Sequence, residues 1–463
     1  MELTAAEIAT DTGGRLAGPE AARATSFAID SRVLEPGACF VALVAERDGH
    51  DFVPHAWERG ATVALVSRPV GPAPPGRSVV EVRDSLAALG RLGGAARRRL
   101  ADVPVVAVTG SAGKTATKDL TAAALAASRR VHASPASFNN EAGVPLTLLG
   151  APPDVEVVVT EMGARFAGNL TALAAIAAPT IGIVTHVGLA HAGHLGGPDG
   201  IAAAKGELLE ALPAEGLAIV NADCGSATTL AACTRARVTR VGLAADADVR
   251  VVGLSVDARV RPRFTLVTPA GEAPVALALH GEHHATNAAM AAAAALELGV
   301  PLDVAAAGLG TARPAARRME IAPTPDGVLL VNDAYNSSPS SAAAALRALG
   351  QLDVSGRRVA VLGEMLELGG HGPEAHAELG ALAASVGVDL VITVGAGADP
   401  IAATARAGGV AVVQAPDPCA AVGVVRSEVR TGDAVLVKAS RAVGLDVVAD
   451  ALQPADRNSG GTP

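Results

Sequence analysis

Aromatic residues, cysteine, lysine and net positive charge are all scarce in this chain. Aromatics are 2% of its 463 residues, with one Trp and one Tyr, so its cores must be built from Ala, Val, Leu and Ile. The four cysteines, Cys39, Cys224, Cys233 and Cys419, are scattered without CxxC spacing. That excludes a disulfide framework and a zinc ribbon, and they read as ordinary buried thiols of a reducing cytosol. Lys plus Arg number 37 against 46 Asp plus Glu, a net charge of -9, which argues against a nucleic-acid binder with a basic face. The longest basic run, residues 97–99, is expected on a solvated helix. No uncharged apolar run approaches the roughly 18 residues of a membrane span. The N-terminal MELTAAEIATDTGG lacks the basic start and apolar core of a signal peptide. A cytoplasmic protein is expected, with no membrane span and no nucleic-acid partner.

The shortage of lysine is the most informative. Only Lys114, Lys118, Lys205 and Lys438 occur among the 37 basic residues. A chain this averse to lysine keeps it where arginine would fail, because only the compact amine can lose its proton and react. Five of the eight asparagines, Asn139, Asn140, Asn287, Asn332 and Asn336, fall in short polar clusters.

What is present suits large α/β cores: half the residues are hydrophobic and 18% charged, in a chain long enough for about two to four domains. Residues 1–102 form a mixed unit, with strands predicted at 39–44 and 62–67 and helices at 4–10 and 84–100. A second unit, 103–312, opens with a short buried strand and a glycine loop. A helix at 114–128 follows, with strands within 155–163, 180–188 and 216–223. This alternation predicts a mostly parallel sheet covered by helices. Residues 245–280 alternate and predict antiparallel strands, and a helix at 285–298 closes the unit. A third unit, 313–455, has strands predicted at 328–331, 358–362, 390–394, 410–413 and 434–437, a second doubly wound sheet. Residues 456–463 are expected to be a disordered tail.

The chemistry starts at AVTGSAGKTATK, residues 107–118. The usual phosphate loop, G-x-x-x-x-G-K-[ST], would need glycine at Val108; here the first glycine is Gly110. The loop still lies between a strand and a helix, where the backbone N–H groups of Thr109, Gly110, Ser111, Ala112 and Gly113 can cradle phosphate. Lys114 would reach the β- and γ-phosphates and the Thr115 hydroxyl a Mg²⁺ ion. Lys118 is expected to face solvent, so that Lys118→Arg would be nearly silent. Glu161 ends a β-rich run, where a carboxylate would meet a metal-bound nucleotide. Residues 185–197 carry His186, His191 and His194, but Mg²⁺-dependent ATP chemistry needs no zinc.

The short T-G-x-x-G-K-T loop resembles that of the Mur ligases and the related folylpolyglutamate synthetases, which couple a carboxylate to an amine through an acyl phosphate. The resemblance continues along the chain. SFNNEAGVPLTLL at 137–149 is similar to the family stretch beside the γ-phosphate and substrate, which implies substrate contacts for Asn139 and Asn140. It also implies Mg²⁺ ligation by Glu161 and His191, and leaves His186 and His194 without a role. In IAAAKGELLE, at 201–210, it implies that Lys205 is carbamylated. A carbamate is an anion that can help hold metal, and arginine cannot form one. Asn287 would contact adenine, with His284 where asparagine is usual. Arg318 would approach the nucleotide across the hinge, with Arg317 where glycine is usual.

In the third unit, VNDAYNSSPSS at 331–341, LGEMLELG at 362–369 and VKASRAVGLD at 437–446 resemble the MurF branch. The resemblance implies that Asp333 and Asn336 face the ATP ribose and phosphates, that Tyr335 packs near the base, and that Lys438 and Arg441 close on substrate. Ser338 and Ala439 depart from the pattern. In the first unit, IDSRVLEPGACFVAL and DGHDF imply a uridine-nucleotide segment with Ser31 and Arg32 at the pyrophosphate. The MurF resemblance spans residues 1 to 453. It implies three domains, with a central P-loop ATPase-type sheet and a Rossmann-like C-terminal domain. It implies a monomer using ATP and Mg²⁺ to join D-Ala-D-Ala to UDP-N-acetylmuramoyl tripeptide. The alternatives are MurE or a folylpolyglutamate synthetase, a catalytically silent ATP-binding partner, and a P-loop kinase. The missing D-N-P-R motif weighs against MurE.

Overall fold

A computed structural model describes residues 1–453; the expected disordered tail lies outside the described residues. Three large sheets follow one another along the chain. The first has five strands, ordered Arg15–Ala17, Ser78–Glu81, Val63–Val66, Ala38–Val41 and Ser26–Ala28, all parallel except the first pair. Only its two fully buried strands stand out in the sequence. Of the other three, Arg15–Ala17 and Ser26–Ala28 have no buried residue and Ser78–Glu81 has two, and each is only three or four residues long, so their periodicity is weak.

The central sheet has nine strands. Val105–Thr109 lies inside it, between Ile181–Val184 and Val157–Glu161, all parallel. Every residue of these three strands is buried, as expected where helices cover both faces. From Val105–Thr109 the chain runs to the edge strand Val131–Ala133, returns to Val157–Glu161, then crosses to the far side at Ile181–Val184. The crevice at the carboxyl ends of such strands, where the winding reverses, is where ligands bind in open α/β sheets. Val249–Val256, Pro262–Thr268 and Gly271–Ala276 finish the sheet as an antiparallel extension.

Helix Lys114–Ala126 packs against His284–Glu297. The second helix buries an almost unbroken alanine run, so two helices approach closely where aromatics would have held them apart. The third sheet has six strands, parallel except for the edge strand Glu320–Pro323, which pairs antiparallel with Leu329–Asn332. That edge strand was not predicted; it is half-buried and follows directly on a turn.

The first and central units share one apolar core. Leu89 and Leu92 of helix Ser85–Arg99 join Val144, Leu146 and Leu173 in a single buried cluster. The basic run at 97–99 is correspondingly less solvated than expected, since Arg97 Nε donates to the Ala177 carbonyl at 2.9 Å. The cysteines also differ from expectation: Cys39 and Cys224 are buried, Cys233 is half-buried and Cys419 is exposed. Among the described residues no helix is long and apolar enough to cross a membrane.

Candidate active site

The glycine loop leaves strand Val105–Thr109 and enters helix Lys114–Ala126. Gly110 has φ 147°, and a Cβ there would lie 2.0 Å from Thr185 Oγ1, so only glycine fits. The loop is braced from the neighbouring strand's end. Ser111 N donates to the His186 carbonyl (2.8 Å), Ser111 Oγ to the Gly188 carbonyl (2.8 Å) and Thr185 Oγ1 to the Ala112 carbonyl (2.6 Å). Thr109 is fully buried behind it, and Gly113, in the left-handed region, starts the helix. Lys114 arches back so that Nζ donates to the Gly110 carbonyl at 2.8 Å. Burial pulls its pKa down, Glu161 opposes that, and Arg318 adds to it.

Glu161 is 1% exposed. Its two oxygens accept from Thr115 Oγ1 and from Asn139 Nδ2, each at 2.7 Å. Among the described residues no lysine or arginine forms an ion pair with it. A buried carboxylate bonded only by neutral donors has no counter-charge in direct contact, Lys114 acting on it only through space, and a divalent cation beside Thr115 would supply one. The residues therefore fit Mg²⁺. Asn140 is used differently: its Oδ1 accepts from Gly143 N (2.9 Å) and so holds the turn that leads into helix Gly143–Leu149.

Lys205 lies on helix Pro198–Glu210, 1% exposed, and among the described residues its only hydrogen bond is a 3.4 Å contact to the Ala164 carbonyl. Burial, then repulsion from Lys114, pulls its amine down to about 7. Lys118 corrects an expectation. It is 3% exposed, donates to the Ser134 (2.8 Å) and Ala136 (3.1 Å) carbonyls, and pairs with Asp119. It therefore holds the loop leading to Asn139. Lys118→Met should destabilise the protein by about 2–4 kcal/mol in urea melts, since it strands two carbonyls and a carboxylate. A loss under about 0.5 kcal/mol would return Lys118 to the surface role expected from sequence.

The third unit meets the loop across a cavity of about 410 Å³ lined by Thr115, Ser137, Arg318, Tyr335, Arg441 and Asp446, among others. Arg318 donates to Ser137 Oγ at 2.9 Å and stacks 4.0 Å from the Tyr335 ring centroid; Arg441 lies 5.0 Å from the same ring. Asp333 accepts from Lys438 Nζ at 2.6 Å and from Met319 N at 3.1 Å. Lys438 is 2% exposed and also donates to the Asn336 carbonyl, while Arg441 N donates to Asn336 Oδ1. Lys438 is thus fully engaged in holding the Asp333–Asn336 turn.

The departures from the family pattern have local reasons. His284 Nδ1 lies 3.3 Å from Asn287 Nδ2, and both are buried, so the histidine orients that amide. Ser338 caps helix Pro339–Gln351 through a capping box with Ser341. Ala439 is accommodated because it faces Gly363, where any Cβ would lie 2.8 Å from its own. Arg317 sits at φ 59°, the conformation glycine takes freely, and pairs with Asp446 and Asp450. Arg317→Gly would remove a left-handed strain of about 1–2 kcal/mol and two exposed pairs worth about 0–1 kcal/mol each. Stability measured by thermal melting should change by less than about 1 kcal/mol; a loss above about 2 kcal/mol would mean that the ion pairs hold the turn.

In the first unit Ser31 is buried, with Oγ 2.9 Å from His55 Nδ1. Arg32 is exposed and forked onto Asp30. His191 has φ 62°, and its Nδ1 bonds Glu367 of the third unit. Glu367 and Arg165 were not picked out from the sequence, although Glu367 lies in the quoted LGEMLELG. Cys224, read from the sequence as an ordinary thiol, is buried, with Sγ 3.8 Å from the Val187 carbonyl. Burial pushes its thiol up, but hydrogen bonding with His186 and two backbone groups outweighs that and lowers it to about 7.

Fold and site together define an α/β protein with three large sheets, whose P-loop-type glycine turn faces a cavity between its second and third units. Family models of the Mur ligase middle domain and of the Mur ligase glutamate ligase domain match residues 108–295 and 317–441. The chain is 41% identical to the UDP-N-acetylmuramoyl-tripeptide–D-alanyl-D-alanine ligase of Mycobacterium tuberculosis over 498 aligned positions, covering 98% of each. MurF from Acinetobacter baumannii superposes with a TM-score of 0.86 at 28% identity, over 98% of this chain and 99% of that one. MurF from Thermotoga maritima in complex with ADP gives 0.76 at 26% identity, over 92% and 96%. The chain belongs to the Mur ligase family, in its MurF branch.

Proposed function

We propose that this chain is the ATP-dependent ligase that joins D-Ala-D-Ala to UDP-N-acetylmuramoyl tripeptide in peptidoglycan precursor synthesis. The observation that carries this reading is the buried Glu161 carboxylate, bonded by Thr115 and Asn139 beside a braced phosphate loop. It lies in a chain related end to end to a ligase named for that reaction.

Backbone N–H groups of residues 109–113 cradle the ATP phosphates, Lys114 neutralises charge on the γ-phosphate, and Asn287 holds the adenine. Arg318, Asp333 and Asn336 complete the nucleotide site from the third unit. Thr115, Glu161, His191 and a carbamate on Lys205 would hold Mg²⁺, which when bound would stabilise charge on the transferring phosphoryl group. An isolated buried amine with one long hydrogen bond supports the carbamate. Ser31 and Arg32 meet the uridine-nucleotide pyrophosphate, and Asn139, Asn140, Lys438 and Arg441 border the peptide ends; for Asn140 and Lys438 that action runs through the turns they hold.

A carboxylate oxygen of the tripeptide attacks the γ-phosphorus and ADP leaves. The amine of D-Ala-D-Ala then attacks the acyl carbon, loses a proton, and the tetrahedral adduct collapses to amide and phosphate. Positioning and fixed charge supply most of the acceleration. Units divided near residues 102 and 312 close over the acyl phosphate and keep water away. The enzyme works as a cytoplasmic monomer. The test is phosphate release from ATP, with the tripeptide nucleotide and D-Ala-D-Ala each omitted in turn. Release that needs both, with a product heavier by the dipeptide, is expected. A stable phosphorylated product would indicate a kinase, and nucleotide binding without turnover a silent partner.

A further inference from the structure

Helix Ala192–Leu195 of the central unit touches the turn at Gly369–His371 of the third. The contact is backbone on backbone: Gly193 N donates to the Glu367 carbonyl at 3.0 Å. A Cβ on Gly193 would lie 3.0 Å from Gly369 N, and one on Gly369 would lie 2.9 Å from Gly193 Cα. Two facing glycines permit this approach; a Cβ on Gly369 would clash and one on Gly193 would force the facing backbone to give way. Glu367 itself stands at φ 63°, an unfavourable conformation for a residue with a side chain. That conformation goes with a carboxylate aimed across the junction. One oxygen bonds His191 Nδ1, and the other lies 3.3 Å from Arg165 Nη2. Thus one residue of the third unit grips two residues of the central unit, one of them the histidine read as a metal ligand.

We propose that Glu367 is a positioning residue that orients the His191 ring across the domain junction, so that the central unit's metal site is complete only when the third unit is docked through Gly193 and Gly369. A histidine that donates Nδ1–H to a carboxylate keeps its Nε2 lone pair free for a metal, with the ring fixed. Loss of such a partner typically lowers metal affinity 10- to 100-fold. Arg165 holds the carboxylate in place from the second side. The inference rests on the nucleotide–metal site proposed above, but its test needs neither peptide substrate.

Mn²⁺ is titrated by electron paramagnetic resonance into the full chain at saturating ADP, and ADP affinity is measured separately without metal. Glu367→Ala is expected to weaken Mn²⁺ binding about 10- to 100-fold and leave metal-free ADP affinity within about twofold. Glu367→Gln, whose amide oxygen still accepts from Nδ1–H, should recover most of the loss. Gly193→Ala leaves every side chain of the grip in place and pushes the docked backbones apart by a few tenths of an ångström. It should reproduce the loss, and it gives a second reading should Glu367→Ala fold poorly. Unchanged Mn²⁺ affinity in both Glu367→Ala and Gly193→Ala would overturn the proposal. An equal fall in metal-free ADP affinity would also overturn it, since that would mark a general loosening of the junction. Failure of the ligase reading would show instead in the phosphate-release assay of the wild-type chain.

Discussion

Lys205→Ala is expected to lower kcat about 10²- to 10³-fold, the range seen when one preorganised charge is removed from a reacting centre. Lys205 is buried, and among the described residues its amine bonds only Ala164, at 3.4 Å. Such a lysine does little for the fold as a cation. Its neighbourhood already contains Lys114, whose charge opposes a second ammonium there. Conversion to a carbamate reverses the sign: the side chain becomes an anion that attracts Mg²⁺ and Lys114 alike. Formate or acetate should partly restore Lys205→Ala by entering the space left by the shortened side chain. Lys205→Arg should be as inactive and show no rescue, since guanidinium cannot form the carbamate and fills the space. Carbon-13 NMR of protein kept in labelled bicarbonate should show one carbamate signal, missing from Lys205→Ala. Full activity in Lys205→Ala would remove this residue from the site. Inactivity without rescue or carbamate signal would leave it a packing role only.

Glu161→Gln should have a loss of the same order, about 10²- to 10³-fold in kcat/KM, with little change in stability. Glutamine can keep both present hydrogen bonds. Its Oε1 can accept from Asn139, and its Nε2 can donate to the Thr115 hydroxyl, which rotates to suit. Only the negative charge is lost. Melting temperature should therefore move little, while the Mg²⁺ concentration needed for half-maximal activity rises. A variant with normal Mg²⁺ dependence would show that the charge of Glu161 is not what the metal meets.

Both predictions concern residues visible in the sequence, because chemistry marked them there. Lys205 stood out as one of four lysines, and Glu161 as a carboxylate ending a strand-like run. The parallel cores were equally legible. Runs such as Val105–Thr109 and Leu390–Val394 are apolar throughout, since both faces are covered. The strands missed, such as Arg15–Ala17 and Glu320–Pro323, are short and partly exposed, and carry too little periodicity to register. Lys118 was misplaced for a related reason. Its neighbours on the helix include the half-buried Asp119, and nothing local signals that the carbonyls of Ser134 and Ala136 will come to meet it.

By itself the sequence determined the succession of α/β sheets, the glycine loop between strand and helix, and the family. Those features are local: a glycine turn before a helix, a rare amine, a fully apolar strand. The tertiary structure alone decided which of these residues are free to act. It turned Asn140 to the turn before a helix, engaged Lys438 with Asp333, held His284 against Asn287 and brought Glu367 to His191 across 176 positions. A hydrogen bond depends on position in space to within a few tenths of an ångström. Positions far apart in the chain acquire that precision only when separate sheets pack and two glycine backbones meet.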